Sequence, residues 1–339
     1  ASGFEARLRA QQTLEAQPLP HWTFRELLPP IDSANMNQHN WLAMVAAIRA
    51  GIEQDGCDGV LLLHGTDTLA YSAAALSFLL LGLPVPVLLT GAMLPAGAEG
   101  SDAWSNLFGA MSALQQGLVS GVQLYFNGQL LHGARASKWH SEAFDAFRAL
   151  PRQRHGAPAT ELPARLDYRQ PRQAVNLAVL PLFPGIQAAH VRALLSTGVQ
   201  ALLLECYGSG TGPSDDAELL AALAAAHARG VVLAAISQCP HGHVECGVDA
   251  AGSQLASPSG LGGDQAAPGG SAGEFLTIGE PGFLKQVFHF THAVAAALCG
   301  VHEHYRVFRD VERAGFVTIE EGVVDEQLPS GGQGFERSS

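Results

Sequence analysis

The stretch Gly59-Val60-Leu61-Leu62-Leu63-His64-Gly65-Thr66-Asp67-Thr68 decides how the rest of the chain reads. An apolar run stops abruptly and is followed by a turn, a hydroxyl, a carboxylate and a second hydroxyl. A continuous apolar run is the signature of a parallel strand buried on both faces. In an α/β protein, the C-terminal end of such a strand is where ligands bind. Polar groups just past Leu63 are then held by the sheet and open to a crevice.

The neighbours of this stretch repeat the pattern. Leu42, Val45, Ala46 and Ile52 have helical spacing over Asn40 to Glu53. After the strand, Thr68 or Asp67 can cap a helix from Leu69 to about Leu81. Pro84 to Leu89 reads as a second strand ending at Thr90-Gly91-Ala92-Met93, and Ser101-Asp102 as the cap of a helix from Ala103 to Gln116. Val122 to Phe126 is a third strand. Strands and helices alternating through short loops predict an α/β fold with a mostly parallel wound sheet.

Pro151 to Gln173 is rich in Pro, Arg and Ala without sustained periodicity, as expected of a connection. The alternation then restarts, with strands at Val175–Leu182, Ala201–Cys206 and Val231–Ile236. Helices are expected at Ala188–Ser196 and from Asp216 to Ala228, closed by Gly230. The expected organisation is a larger N-terminal domain over 1–158, a linker over 159–174 and a smaller α/β domain over 175–329. Ala250 to Gly273 has few core-forming residues, Phe283 to Leu298 is a candidate helix, and 330–339 is expected to be a disordered tail.

Bulk composition narrows the function. The 339 residues are 47% hydrophobic and 15% charged, with a formal net charge of -12. An acidic chain lacks the basic footprint of a nucleic-acid binder. The five cysteines, Cys57, Cys206, Cys239, Cys246 and Cys299, are odd in number and widely spaced, which does not fit a disulfide framework. A reducing cytoplasm is the simplest compartment. The N-terminus shows no apolar signal region. The apolar stretch Leu69 to Leu89 is broken by Ser72, Ser77, Gly82, Pro84 and Pro86, so it reads as helix, turn and strand and not as a membrane span.

Thr66-Asp67-Thr68 taken alone is equally a helix cap. The turns at Thr90–Met93 and Ser33-Ala34-Asn35-Met36 change the balance, because open sheets gather such turns at one edge. Lys138 follows the third strand and a polar hairpin at Asn127-Gly128. A lone lysine is usually a surface charge. One brought beside a buried aspartate and a threonine is a candidate base, because burial favours the neutral amine and a threonine hydroxyl is a weak nucleophile until its proton is taken.

These residues carry a resemblance. His64 to Thr68, Thr90 to Met93, Ser101-Asp102 and Asn106-Leu107 are similar to motifs of the bacterial L-asparaginase family, and the match is closest to its cytosolic type I members. Ile31 to Met36 resembles the family's substrate-binding turn, and Ala134 to Lys138 with Phe144 to Phe147 its lysine segment. Pro184-Gly185-Ile186, Tyr207 to Gly210 and Ser237-Gln238-Cys239 resemble markers of its second domain. The resemblance covers about residues 1–250.

The family implies roles for these positions. Thr66 is the hydroxyl of a Thr–Lys–Asp group and Lys138 its base partner. Asp67 holds the substrate α-ammonium and supports Lys138. Ser33 binds the α-carboxylate, Gly65 belongs to the substrate pocket, and the backbone of Ala92 lies against the substrate amide. The implied reaction is hydrolysis of the side-chain amide of L-asparagine by threonine-based acyl transfer, without metal or organic cofactor. The resemblance implies a homo-oligomer, dimer or tetramer, and family tetramers complete each site with residues from a neighbour's second domain.

Two departures accompany the resemblance. The family's usual acyl-accepting threonine sits in a Thr-Gly-Gly-Thr-Ile stretch after a first strand, and no such stretch occurs here; Thr13 lacks the glycine turn. Either the sequence omits an N-terminal segment, or the protein has lost a nucleophile and a central strand; omission is the expectation, because losing a buried strand would damage the sheet, and a chain that truly starts here should have severely reduced activity. After about Gly252 the chain also departs from the family's pattern.

Rival readings are weaker. Cys239, His241, His243 and Cys246 have metal-ligand chemistry, but Cys239 is already accounted for at a strand end. Gly208-Ser-Gly-Thr-Gly212 lacks the lysine of a phosphate loop. Two further functions share the motifs: a glutaminase-type amidohydrolase, whose tRNA-dependent version would want a basic surface, and a catalytically impaired relative that only binds an amino acid.

Overall fold

The computed structural model describes residues 3–15, 18–149, 162, 164–239 and 276–277. The chain opens with helix α1 (Gly3–Glu15) and α2 (Gln38–Glu53), then strand β1 (Val60–Leu63), α3 (Leu69–Leu79) and β2 (Pro86–Thr90). Next come α4 (Ala103–Gln115), β3 (Gly121–Phe126), β4 (Gln129–His132), β5 (Ala136–Lys138) and β6 (Phe147–Ala149). The second unit runs through β7 (Leu177–Pro181), α5 (Ala188–Leu195), β8 (Ala201–Cys206), α6 (Ala217–Ala228) and β9 (Val232–Ser237), with β10 at Leu276–Thr277.

Among the described residues the first sheet has the order β1-β2-β3-β4, with β1, β2 and β3 parallel and β4 antiparallel. The β3–β4 turn needs two left-handed residues, and Asn127 (φ 48°) and Gly128 (φ 75°) supply them. One face of the sheet packs on α2 and α3 through Trp41, Ile48, Leu69, Leu76, Leu89 and Phe126. The small, fully buried Ala73 and Ala74 let α3 lie close to the strands. The other face packs on α4, where Leu107, Phe108 and Met111 meet Leu8 of α1.

The deciding stretch is a strand, but it is not buried on both faces. Val60, Leu61 and Leu62 are half-buried and Leu63 is exposed, because β1 is the edge of the described sheet. The strand buried throughout its centre is β2, where Val87, Leu88 and Leu89 have neighbours on every side.

Two expected caps are also corrected. Thr68 stands at the start of α3 without capping it, and its hydroxyl donates instead to the Ser33 carbonyl at 2.7 Å. Asp102 stands at the start of α4 and likewise makes no side-chain cap; Ser101 Oγ accepts from Ala103 N at 3.1 Å. In both cases a tertiary partner has taken the side chain. Asp216 does cap α6, accepting from Leu219 N at 3.0 Å.

The second sheet has the order β10-β9-β8-β7, all parallel, with a core of Leu202, Leu204, Leu219 and Leu223. The described end of the 159–174 stretch packs on the first unit: Leu166 and Tyr168 are buried, and Tyr168 N donates to Leu81 O at 2.8 Å. Gln38 of α2 bonds both ways with the Val175 backbone, at 3.0 and 2.8 Å. The Gly208–Gly212 stretch forms a turn closed by the Tyr207–Thr211 bridge. His241, His243 and Cys246, the region 250–273 and everything expected from 278 onward lie outside the described residues. Among the described residues no helix is long and apolar enough to cross a membrane.

Candidate active site

The parallel register sends β1 and β2 off the same edge: Leu63 pairs with Thr90, and His64 N donates to Thr90 O at 2.9 Å. The turns that follow are in close contact. A Cβ on Gly91 would collide with the His64 carbonyl, so glycine is what allows the two turns to meet. A Cβ on Gly65 would lie 2.5 Å from Ser33 Oγ, so glycine again lets the turn Ser33–Asn35 close on residues 64–68.

Lys138 reaches this edge from β5. That strand is anchored by the fully buried Ala136 and pairs with β6, where Phe147 packs with Phe126. Lys138 Nζ donates to Thr66 Oγ1 at 3.0 Å and to Asp67 Oδ1 at 3.1 Å. The lysine side chain is 19% exposed, whereas that of Asp67 is 63% exposed. The buried aspartate expected from the sequence is thus an exposed one. It stands in the turn ahead of α3, largely open to solvent, with one oxygen on the lysine.

The structure brings together Thr66, Asp67 and Lys138, with Ser33 and Gly65 directly behind and Ala92 in the adjoining turn. Ser33 is 5% exposed, and no side chain among the described residues bonds its hydroxyl. Thr13 is in α1, where its hydroxyl donates to Arg9 O at 3.0 Å and takes no part in this group.

Two supporting networks lie behind the site. In the first, the His64 ring donates from Nδ1 to the Gly65 carbonyl at 2.7 Å, because a carbonyl only accepts. Nε2 is then the acceptor for the Ser72 hydroxyl at 2.7 Å, and Ser72 Oγ accepts from Trp41 Nε1 at 2.8 Å. Every proton in this relay has one place to go. Burial holds the His64 imidazole below its ordinary pKa, outweighing the opposing effect of its bond to Gly65.

The second network centres on Asp102. Its carboxylate accepts from Met93 N at 2.9 and 3.0 Å, from Leu94 N at 3.1 Å and from Asn106 Nδ2 at 3.0 Å. Asn106, 2% exposed, also donates to Gly91 O at 3.0 Å and accepts from Asn127 N at 2.8 Å. Helical spacing places Asp102 and Asn106 on one face of α4. The sequence signalled both residues but pointed Asp102 to the helix it precedes, since its backbone partners and those of Asn106 belong to other segments.

A hydroxyl on an amine, a carboxylate beside them and backbone groups in two facing turns form the equipment of acyl transfer. Among the described residues no group of three or more His, Cys, Asp or Glu is gathered that could hold a metal ion.

Comparison with known proteins gives this equipment a context. Residues 3–167 match the family model described as Asparaginase, N-terminal, and residues 176–270 match Glutaminase/Asparaginase C-terminal domain. The chain is 36% identical over 256 residues to L-asparaginase 1 of Escherichia coli K12, covering 72% of this chain and 75% of that one. It is 34% identical over 278 residues to the human 60 kDa lysophospholipase, where the match covers 78% of this chain and 48% of that protein. Among solved structures, L-asparaginase I from Vibrio cholerae superposes with a TM-score of 0.63 at 32% identity, covering 75% of this chain and 80% of its own.

Proposed function

This chain belongs to the asparaginase family, and from that premise we propose that it is an L-asparaginase, hydrolysing the side-chain amide of L-asparagine to L-aspartate and ammonia. The reading rests above all on the contact of Lys138 Nζ with Thr66 Oγ1 at 3.0 Å and Asp67 Oδ1 at 3.1 Å. Lys138 takes the Thr66 proton, and an activated threonine oxygen adds to the amide carbon. The developing negative charge on the carbonyl oxygen is met by backbone N–H groups. The proton passes to the departing nitrogen, ammonia leaves, and water cleaves the acyl ester to give aspartate.

Binding of the amino-acid end follows from the same residues. The exposed Asp67 carboxylate meets the α-ammonium and the Ser33 hydroxyl meets the α-carboxylate, each a charge-assisted contact. Gly65 lets the Ser33 hydroxyl close on this turn, and the Ala92 backbone meets the amide. No cofactor enters this scheme. We assign the protein to the cytoplasm and to a homo-oligomer, dimer or tetramer, on the pattern of the family.

An ammonia-release assay on the purified full-length protein tests the reading. L-asparagine turnover supports it. Preference for L-glutamine would reassign the substrate, and calorimetric binding of L-asparagine without ammonia would mark a binding protein.

A further inference from the structure

Resting on that amidase reading, we propose that Asp102 and Asn106 are positioning residues that aim the Ala92 carbonyl at the leaving amide of the substrate. Asp102 just before α4 and Asn106 within it hold the turn after β2, one on each side of Ala92. Asn106 Nδ2 donates to Gly91 O, and the Asp102 carboxylate accepts from Met93 N.

Peptide planarity turns this into a statement about Ala92. The Gly91 carbonyl and the Ala92 N–H share one peptide plane, and the Ala92 carbonyl and Met93 N–H share the next. Both bonds are trans. In a trans peptide the N–H and C=O point in opposite directions. With Gly91 O and Met93 N drawn towards α4, the Ala92 N–H and carbonyl are turned away from it. The α4 helix covers one face of the sheet, while β5, which carries Lys138, packs with α3 on the other. Away from α4 is therefore the side of the sheet on which β5 carries Lys138.

Three features argue that the clamp serves more than the turn itself. Asp102 stands where an aspartate would cap α4, yet its carboxylate is used on the turn and on Asn106. Asn106 joins the same clamp to the backbone of Asn127, at the head of the hairpin that leads to β5 and Lys138. The turn carrying Ala92 and the strand carrying Lys138 are thereby set against a common support. A carboxylate acceptor and a buried amide also fix direction better than a neutral surface contact.

The role differs from plain structural support in which substrate it favours. A carbonyl aimed at the leaving group accepts from the N–H of an amide and finds no donor on an ester. In folded full-length protein, Asp102→Ala and Asn106→Ala should each lower kcat/KM for L-asparagine at least about tenfold, and for the β-methyl ester of L-aspartate less than about threefold. The double variant should be no worse than the worse single one, because the two act as a unit. Asp102→Asn keeps the shape and one acceptor oxygen, so it should lose an intermediate amount and serves where an alanine variant does not fold by circular dichroism. Equal losses on amide and ester, or none on either, overturn the proposal. Wild-type protein that cleaves neither substrate overturns the amidase reading first, and the positioning role falls with it.

Discussion

The two sheets are built alike, yet their C-terminal edges use polar side chains in opposite ways. At the edge of β7, β8 and β9, the side chains bind the protein itself. Gln238 Nε2 donates to the carbonyls of Leu182 and Glu205, and Ser237 Oγ donates to Gly208 O and accepts from Cys239 N. At the edge of β1 and β2, the Ser33 hydroxyl has no partner among the described residues, the Asp67 side chain is 63% exposed, and Lys138 bridges to a hydroxyl. One edge closes the ends of its strands, and the other holds polar groups ready for something not part of the protein. A parallel sheet offers both possibilities, and the difference lies in where the internal acceptors are.

The largest effect should come from breaking the first edge. Thr66→Ala and Lys138→Met should each lower kcat for ammonia release by about 10²–10⁴-fold, the usual worth of a positioned acid–base partner, with the melting curve little changed. An active Lys138→Met protein would remove the basis for contrasting the edges.

Gln238→Ala should do the reverse. It takes the donor from two carbonyls and should destabilise the protein by about 1–3 kcal/mol in chemical denaturation, with kcat per folded molecule unchanged. Ser33→Ala should raise KM for L-asparagine roughly tenfold, the loss of one hydrogen bond to a charged group, and leave stability almost as it was. If Ser33→Ala unfolds the protein and Gln238→Ala impairs only catalysis, the two edges have been assigned the wrong way round.

The smallest effect concerns pH. His64 titrates below its ordinary value in the folded protein because burial disfavours the imidazolium. The folded state therefore prefers the neutral ring, and this contribution is complete above the ordinary histidine pKa of about 6.5 and lost as pH falls below it. Denaturation at pH 7.5 and pH 5.5 should show wild type losing more stability on acidification than His64→Gln. An equal loss would mean that His64 does not sense the burial seen behind the first edge.

Much of this was legible along the chain. The run Leu202-Leu203-Leu204 in β8 is a strand because the sheet neighbours and helices on either side bury it, and the helices between strands follow their apolar spacing. Thr66, Asp67 and Lys138 were identifiable because glycine turns and ordered motifs flank them. The network of His64, Ser72 and Trp41 was not. Ser72 lies 8 positions from His64 and 31 from Trp41, and no periodicity marks such partners. Asp102 was misread for a related reason: a carboxylate before a helix is a cap by default, and only competing donors elsewhere redirect it.

By itself the sequence determined the α/β alternation, the family and the residue types at the candidate site, because these follow from local spacing and chemical identity. Tertiary structure alone decided that Lys138 meets Thr66 from 72 positions away, that Asp67 faces open solvent and that Asp102 turns from helix end to neighbouring loop. Those outcomes depend on which distant donors and acceptors come within about 3 Å when the sheet closes, and no local pattern encodes that distance.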